Sequence, residues 1–99
     1  MAITIDPQER ELRALQRVAP WRRCRVLEIG SGDGRLTLRL ARLGAAHIVG
    51  LDPDALRIRE ARAALPRRLA RRIVYRVGRA ERVPYRAREF DCVVFAWAL

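Results

Sequence analysis

Residues 30–34 read Gly-Ser-Gly-Asp-Gly, and they stand between two segments of different periodicity. Ahead of them, Arg25-Val26-Leu27-Glu28-Ile29 is a short, largely apolar β-type run. Behind them, Leu36, Leu40 and Leu43 share one face of a helix that Gly44 stops. A strand that passes through alternating glycines straight into a helix opens a βαβ unit. The alternation then continues along the chain. His47 to Leu51 is a second strand, closed by Asp52-Pro53-Asp54, and the alanine, leucine and arginine that follow to Leu65 are helical, with Pro66 as the limit. Arg72 to Val77 is a third strand, Gly78 to Arg88 a loop, and Phe90 to Ala96 a fourth strand. Upstream, Asp6-Pro7-Gln8-Glu9 combines an N-cap, a proline at the first helical position and a glutamate three residues after the cap. This predicts an amphipathic helix over 7–19. Strands alternating with helices imply a parallel sheet with right-handed crossovers.

Composition bounds the partners. Ninety-nine residues fit one small domain, and 51% hydrophobic against 32% charged residues is a globular balance. The longest uncharged stretch, Leu43 to Leu51, is far shorter than the roughly 18 residues a membrane span needs. No basic start followed by an apolar stretch marks a signal peptide, so a cytoplasmic protein is expected. The formal charge of +10 suggests a polyanion partner, yet every one of the 21 basic residues is arginine. Phosphate binding does not demand that exclusion, since lysine also binds phosphate. Compositional bias and solvated helix faces (Arg10, Arg13 and Arg17; Arg35, Arg39 and Arg42) account for it better. Arg67, Arg68, Arg71 and Arg72 are where a nucleic-acid patch would survive. Cys24 and Cys92 have no metal-ligand spacing and read as buried free thiols.

The glycine loop and the end of the second strand form the candidate site. Glycine permits unusual backbone angles and close approach of a ligand, and the helix start carries partial positive charge. A dinucleotide fingerprint needs glycine at the first, third and sixth positions; here Gly30, Gly32 and Gly34 occupy the first, third and fifth, and the sixth is Arg35. Asp52 closes the second strand beside the loop, where a carboxylate can accept hydrogen bonds from both hydroxyls of a ribose. Its plainer alternative is to cap a helix beginning at Pro53; the two roles are compatible, and beside the glycine loop ligand binding is the favoured one.

These residues resemble class I S-adenosylmethionine-dependent methyltransferases. Val26 to Gly34 is similar to that family's first motif, Val49 to Asp54 to its second strand and ribose-binding acid, Val77 to Tyr85 to its adenine-side loop, and Phe90 to Val94 to the start of its fourth strand. The resemblance implies an α/β fold, a three-layer Rossmann-like parallel sheet holding the first four strands in the order 3-2-1-4, with flanking helices and the N-terminal helix. It implies that Gly30, Ser31 and Gly32 line the methionine end of S-adenosyl-L-methionine, with Gly34 completing the loop. Glu28 would either accept hydrogen bonds near the cofactor's amino group or brace the loop. Asp52 would hold the ribose, and Pro53 or its neighbour would pack on adenine. The family usually has an acid where this chain has Arg79, a donor-only side chain, leaving the Ala80 N–H and Glu81 to contact the ring. Asp91 lies at the far end of its strand and reads as structural.

The resulting expectation is a methyltransferase whose catalytic residues and methyl acceptor the sequence does not identify. Trp97 is either part of the acceptor wall or simple packing. The alternatives are a nicotinamide-dependent oxidoreductase fragment and an arginine-rich nucleic-acid-binding module without catalysis. Residues 24–99 would be the Rossmann-like core of a partial domain, poorly active alone. Its apolar fourth strand, from Cys92 to Leu99, would lie at an uncovered sheet edge that invites self-association.

Overall fold

The apolar runs pair side by side, as their alternation requires. The computed structural model describes residues 2–5, 20–79, 81 and 87–96. Its elements are β1 (Ala2–Ile5), β2 (Arg25–Ile29), α1 (Arg35–Arg42), β3 (His47–Asp52), α2 (Ala55–Ala64), β4 (Ile73–Val77) and β5 (Cys92–Ala96), with short 3-10 turns at Arg67–Leu69 and Ala87–Glu89. All pairings are parallel and the sheet order is β1-β5-β2-β3-β4. Counted from residue 25, this is the expected order 3-2-1-4.

The expectation of an uncovered fourth-strand edge is corrected. β1 pairs along it from Ala2 opposite Val93 to Ile5 opposite Ala96. A strand edge presents unpaired N–H and C=O groups, and the β-branched Ile3-Thr4-Ile5 segment is suited to satisfy them. The predicted helix over 7–19 and Trp97 lie outside the described residues.

Strand alternation divides the core in two. Val26, Ile48, Ile73, Tyr75, Cys92 and Val94 face Leu40 and Ala41 of α1 and Ile58 and Ala61 of α2. The opposite face gathers Leu27, Val49 and Leu51 with Ile29, Phe90 and Val93. Both described helices therefore lie on one face. α1 ends as its sequence predicts: Gly44 takes φ 100°, its N–H donates to the Ala41 carbonyl at 3.0 Å, and the Ala45 N–H donates to Leu40 at 3.2 Å. That is a Schellman termination. The most deeply buried stripe of α1 is Thr37, Leu40 and Ala41, with Leu36 and Leu43 only partly buried. The stripe is rotated from the leucine pattern because Thr37 has a buried polar partner, described below.

At the amino end of the strands, Arg25 and Asp91 exchange backbone and side-chain hydrogen bonds and form an ion pair at 3.2 Å. The Arg25 hydrogen bonds hold the Asp91 carboxyl below the usual carboxylate range. Asp91 is structural, as expected. Arg72 leaves the candidate basic run, because its guanidinium donates to the Ala41 and Ala45 carbonyls at 2.8 and 2.6 Å. Arg62 donates to the Tyr75 carbonyl at 2.7 Å. Both cysteines are free thiols, Cys92 buried and Cys24 half-buried. Among the described residues no helix is long and apolar enough to cross a membrane.

Candidate functional site

Strand order reverses between β2 and β5, and the loop leaving β2 lies at the carboxyl edge beside that reversal, where open α/β sheets bind ligands. Gly30, Gly32 and Gly34 have φ values of 84°, 55° and 88°, the left-handed region in which a side chain is strained. The Gly30 and Ser31 N–H groups both donate to the Leu51 carbonyl, at 2.7 and 2.9 Å, which ties the loop to β3. Space beside Gly32 is open: a Cβ there would meet nothing within 4 Å. This glycine answers to backbone geometry and leaves an unobstructed approach.

Asp52 joins the loop to the next turn. Its Oδ2 accepts from the Gly32 N–H and its Oδ1 from the Asp54 N–H, both at 2.9 Å. The helix cap is Asp54, whose Oδ1 accepts from Leu56 and Arg57 at 3.0 and 3.4 Å. The N-cap reading of Asp52 is thereby corrected, because α2 begins at Ala55 and not at Pro53. Asp52 is buried, and each carboxylate oxygen retains a second lone pair for a ligand hydroxyl.

A polar pocket lies under the loop. Glu28, Gly50 and Tyr75 form one row across β2, β3 and β4, with Val94 of β5 on the other side of Glu28. Glu28 is fully buried. Thr37 of α1 donates its hydroxyl to Glu28 Oε1, while Glu28 Oε2 and Ser31 Oγ are buried without a hydrogen-bond partner among the described residues. Burial pushes the Glu28 carboxyl up to about 7; the Thr37 hydrogen bond pulls it back and the Asp52 charge adds to the rise. Burial likewise pushes the Tyr75 phenol up to about 12. The Glu28 side chain thus lies beneath the loop, closed off from the open space above it.

Around the edge, Pro53 is exposed, and so are Leu56, Val77 and Phe95 at 60%, 52% and 39%. Val77 stands opposite Asp52 and Phe95 opposite Ile29, so both border the site. The Gly78 N–H donates to the Asp52 carbonyl at 3.0 Å, anchoring the loop that carries the exposed Arg79. Ala80 lies outside the described residues. Sequence reasoning missed Thr37, Gly50 and Tyr75, and the one available signal was a threonine facing inward on a leucine-rich helix. A cavity of about 310 Å³ lined by Arg42, Arg68 and Arg72 lies near the opposite, amino end of the strands and is separate from this site.

At this edge the Asp52 carboxylate keeps lone pairs for a donor, the side of Gly32 is unobstructed, and Leu56 and Val77 offer exposed apolar surface. Among the described residues no group of three His, Cys, Asp or Glu side chains is placed to hold a metal ion.

Residues 26–99 match the family model described as a methyltransferase domain. The ribosomal protein L11 methyltransferase of Dechloromonas aromatica is 48% identical over 40 residues, which are 40% of this chain and 14% of that protein. An uncharacterized methyltransferase of Mycobacterium tuberculosis is 38% identical over 74 residues, 75% of this chain and 28% of the relative. Among solved structures, an S-adenosylmethionine-dependent methyltransferase from Mesorhizobium loti superposes with a TM-score of 0.74 at 25% identity, over 88% of this chain and 37% of its own. The chain thus spans well under half the length of each of these proteins.

Proposed function

The chain belongs to the methyltransferase domain family, and on that premise we propose that it forms the S-adenosylmethionine-binding part of a class I methyltransferase. The observation that carries this reading is Asp52, clamped between the Gly32 and Asp54 N–H groups at the carboxyl edge with lone pairs left over. Gly30, Ser31 and Gly32 line the methionine end, with the open side of Gly32 as the approach. Gly34 starts α1, Asp52 accepts from the ribose hydroxyls, and Pro53 with Leu56 and Val77 flanks adenine. Arg79 and Ala80 begin the adenine-side loop. Glu28 braces the loop from below.

Bound there, the cofactor supplies an electrophilic methyl group on a sulfonium. The task of these residues is positioning, which provides much of the rate when donor and acceptor are held in line. The methyl acceptor approaches from the side of Phe95 and Ala96 at the strand reversal, and none of the site residues is assigned as a base.

Titration calorimetry with S-adenosylhomocysteine and, separately, NADH tests the proposal. The expected result is binding of the first in preference to the second, because Arg35 occupies the position where a dinucleotide site needs glycine. Tighter binding of NADH would overturn it. Asp52→Ala should weaken S-adenosylhomocysteine by about 1–3 kcal/mol, the cost of leaving ligand hydroxyls unpaired in a mostly buried site.

A further inference from the structure

The arginines at the amino end of the strands have no part in the cofactor site, and their placement is more specific than their number. Residues 20–24, 38–47 and 65–73 contain eight arginines and no acid. Compositional bias accounts for arginine in place of lysine, but it does not exclude acids from three segments that fold together. These segments do meet. The Arg23 N–H donates to the Gly44 carbonyl at 2.8 Å, and the Arg72 guanidinium donates to the Ala41 and Ala45 carbonyls. By contrast, Glu28, Asp33, Asp52 and Asp54 gather at or under the glycine loop, while Glu89 and Asp91 precede β5, where Asp91 pairs with Arg25. Between the end of α1 and the 3-10 turn at Arg67–Leu69 lies the cavity of about 310 Å³. Arg42, Arg68 and Arg72 line it beside Leu38, Pro66 and Leu69.

The plain role for cations here is to neutralise the carboxyl end of α1. Arg72 already fills it. Its Nε and Nη2 donate to the two carbonyls, so its charge is fixed in the cavity wall and Nη1 keeps its N–H groups for another acceptor. The Leu40 and Gly44 carbonyls accept from the Ala45 and Arg23 N–H groups. Arg42 and Arg68 are exposed and have neither a carbonyl nor a carboxylate partner among the described residues.

We propose that this end of the domain docks a nucleic-acid strand, with one backbone phosphate seated between Arg42, Arg68 and Arg72 and neighbouring phosphates on Arg22 and Arg23. The planar guanidinium fork matches phosphate oxygens in pairs. The apolar walls of the cavity take the sugar beside the phosphate, and cations spread over three segments fit a chain of charges better than a single anion. A protein partner would want an apolar centre to the surface. The exposed large apolar side chains, Leu56, Val77 and Phe95, all stand at the opposite, cofactor end. The two ends are separated by the length of a strand, ~17 Å for five residues. The arginine surface therefore anchors its partner and does not itself present an atom to the cofactor. It stands apart from the reading of the glycine loop.

Fluorescence anisotropy of a labelled single-stranded RNA of mixed sequence, titrated with the full chain at about 50 to 200 mM KCl, tests this. The parent should bind, with affinity falling steeply as salt rises. Arg42→Ala combined with Arg68→Ala should bind roughly 10- to 100-fold more weakly at about 50 mM salt. The salt slope should drop by about 1.4, two contacts at about 0.7 each. Arg59→Ala combined with Arg76→Ala removes the same charge from exposed positions elsewhere and should lose about twofold. Should the first pair melt early, Arg42→Gln with Arg68→Gln keeps most of each stem and carries the same expectation. Equal losses in the cavity pair and the control pair would overturn the inference, because net charge alone would then explain binding, and so would a parent that does not bind. Polyglutamate displacing the RNA as well as unlabelled RNA does, at matched charge, would make this an acidic-protein surface and overturn it too. Inorganic phosphate doing so at matched phosphate would reduce it to a pocket for a lone anion. S-adenosylhomocysteine affinity should be parental in the cavity pair, so failure of the cofactor reading and failure of this one are told apart.

Discussion

Replacing Glu28 by glutamine isolates the cost of a buried charge in this site. The carboxyl is fully buried and titrates at about 7, against 4.5 for the free group. At about 1.4 kcal/mol per unit, that displacement corresponds to about 3 kcal/mol of folding stability. The sign follows from which state holds the proton more tightly. The folded state does, so this contribution is fully present below pH 4.5 and is lost as the pH rises through 7. Glutamine still accepts the Thr37 hydrogen bond but cannot ionise. The difference in stability between Glu28→Gln and the parent should therefore grow in favour of the variant from pH 4.5 to pH 8, by about 3 kcal/mol. In a domain of this size that is about 12–24 °C in Tm. Any fixed penalty from the unpaired glutamine amide shifts the whole difference curve and leaves its slope unchanged. Urea unfolding at half-unit pH intervals measures it. Parallel stability curves for parent and variant across that range would refute the reasoning, because Glu28 would then remain ionised at no cost and have a partner in the folded protein.

Three further outcomes are expected. Gly34→Ala should cost about 2–4 kcal/mol in chemical denaturation, because the new methyl meets the Tyr75 hydroxyl as well as a left-handed backbone; Gly32→Ala should cost only about 1–2 kcal/mol, the backbone term alone, while losing S-adenosylhomocysteine in calorimetry. Asp54→Ala should destabilise the fold by about 1 kcal/mol as a lost helix cap with little change in ligand affinity, the reverse of the pattern expected for Asp52→Ala. Arg79→Asp restores an acceptor on the adenine side and should tighten S-adenosylhomocysteine binding; weaker binding by a folded variant would show that the guanidinium itself contributes.

What the chain by itself determines is local. The apolar runs at 25–29, 47–51 and 73–77 specify strands, because a short β-type run bounded by glycine or proline has few other ways to satisfy its backbone. The glycines at 30, 32 and 34 specify the strand-to-helix turn, because three left-handed residues in five exclude ordinary side chains. Gly44 ends α1 for the same reason. Asp91 is correctly placed away from the site because the direction of a parallel strand follows from its position in the alternation. The tertiary structure decides what depends on register. Glu28, Gly50 and Tyr75 are scattered along the chain and become one polar row only when three strands pair in one particular alignment; a shift of one residue would send each to the opposite face. Asp52 and Asp54 carry equivalent capping signals, and their roles separate only once Asp52 meets the Gly32 N–H. Arg72 reads as a free cation until folding brings the Ala41 and Ala45 carbonyls to it. The four residues of β1 are too few to announce a strand, and they are one because β5, more than eighty residues later in the chain, offers an edge with unpaired backbone groups.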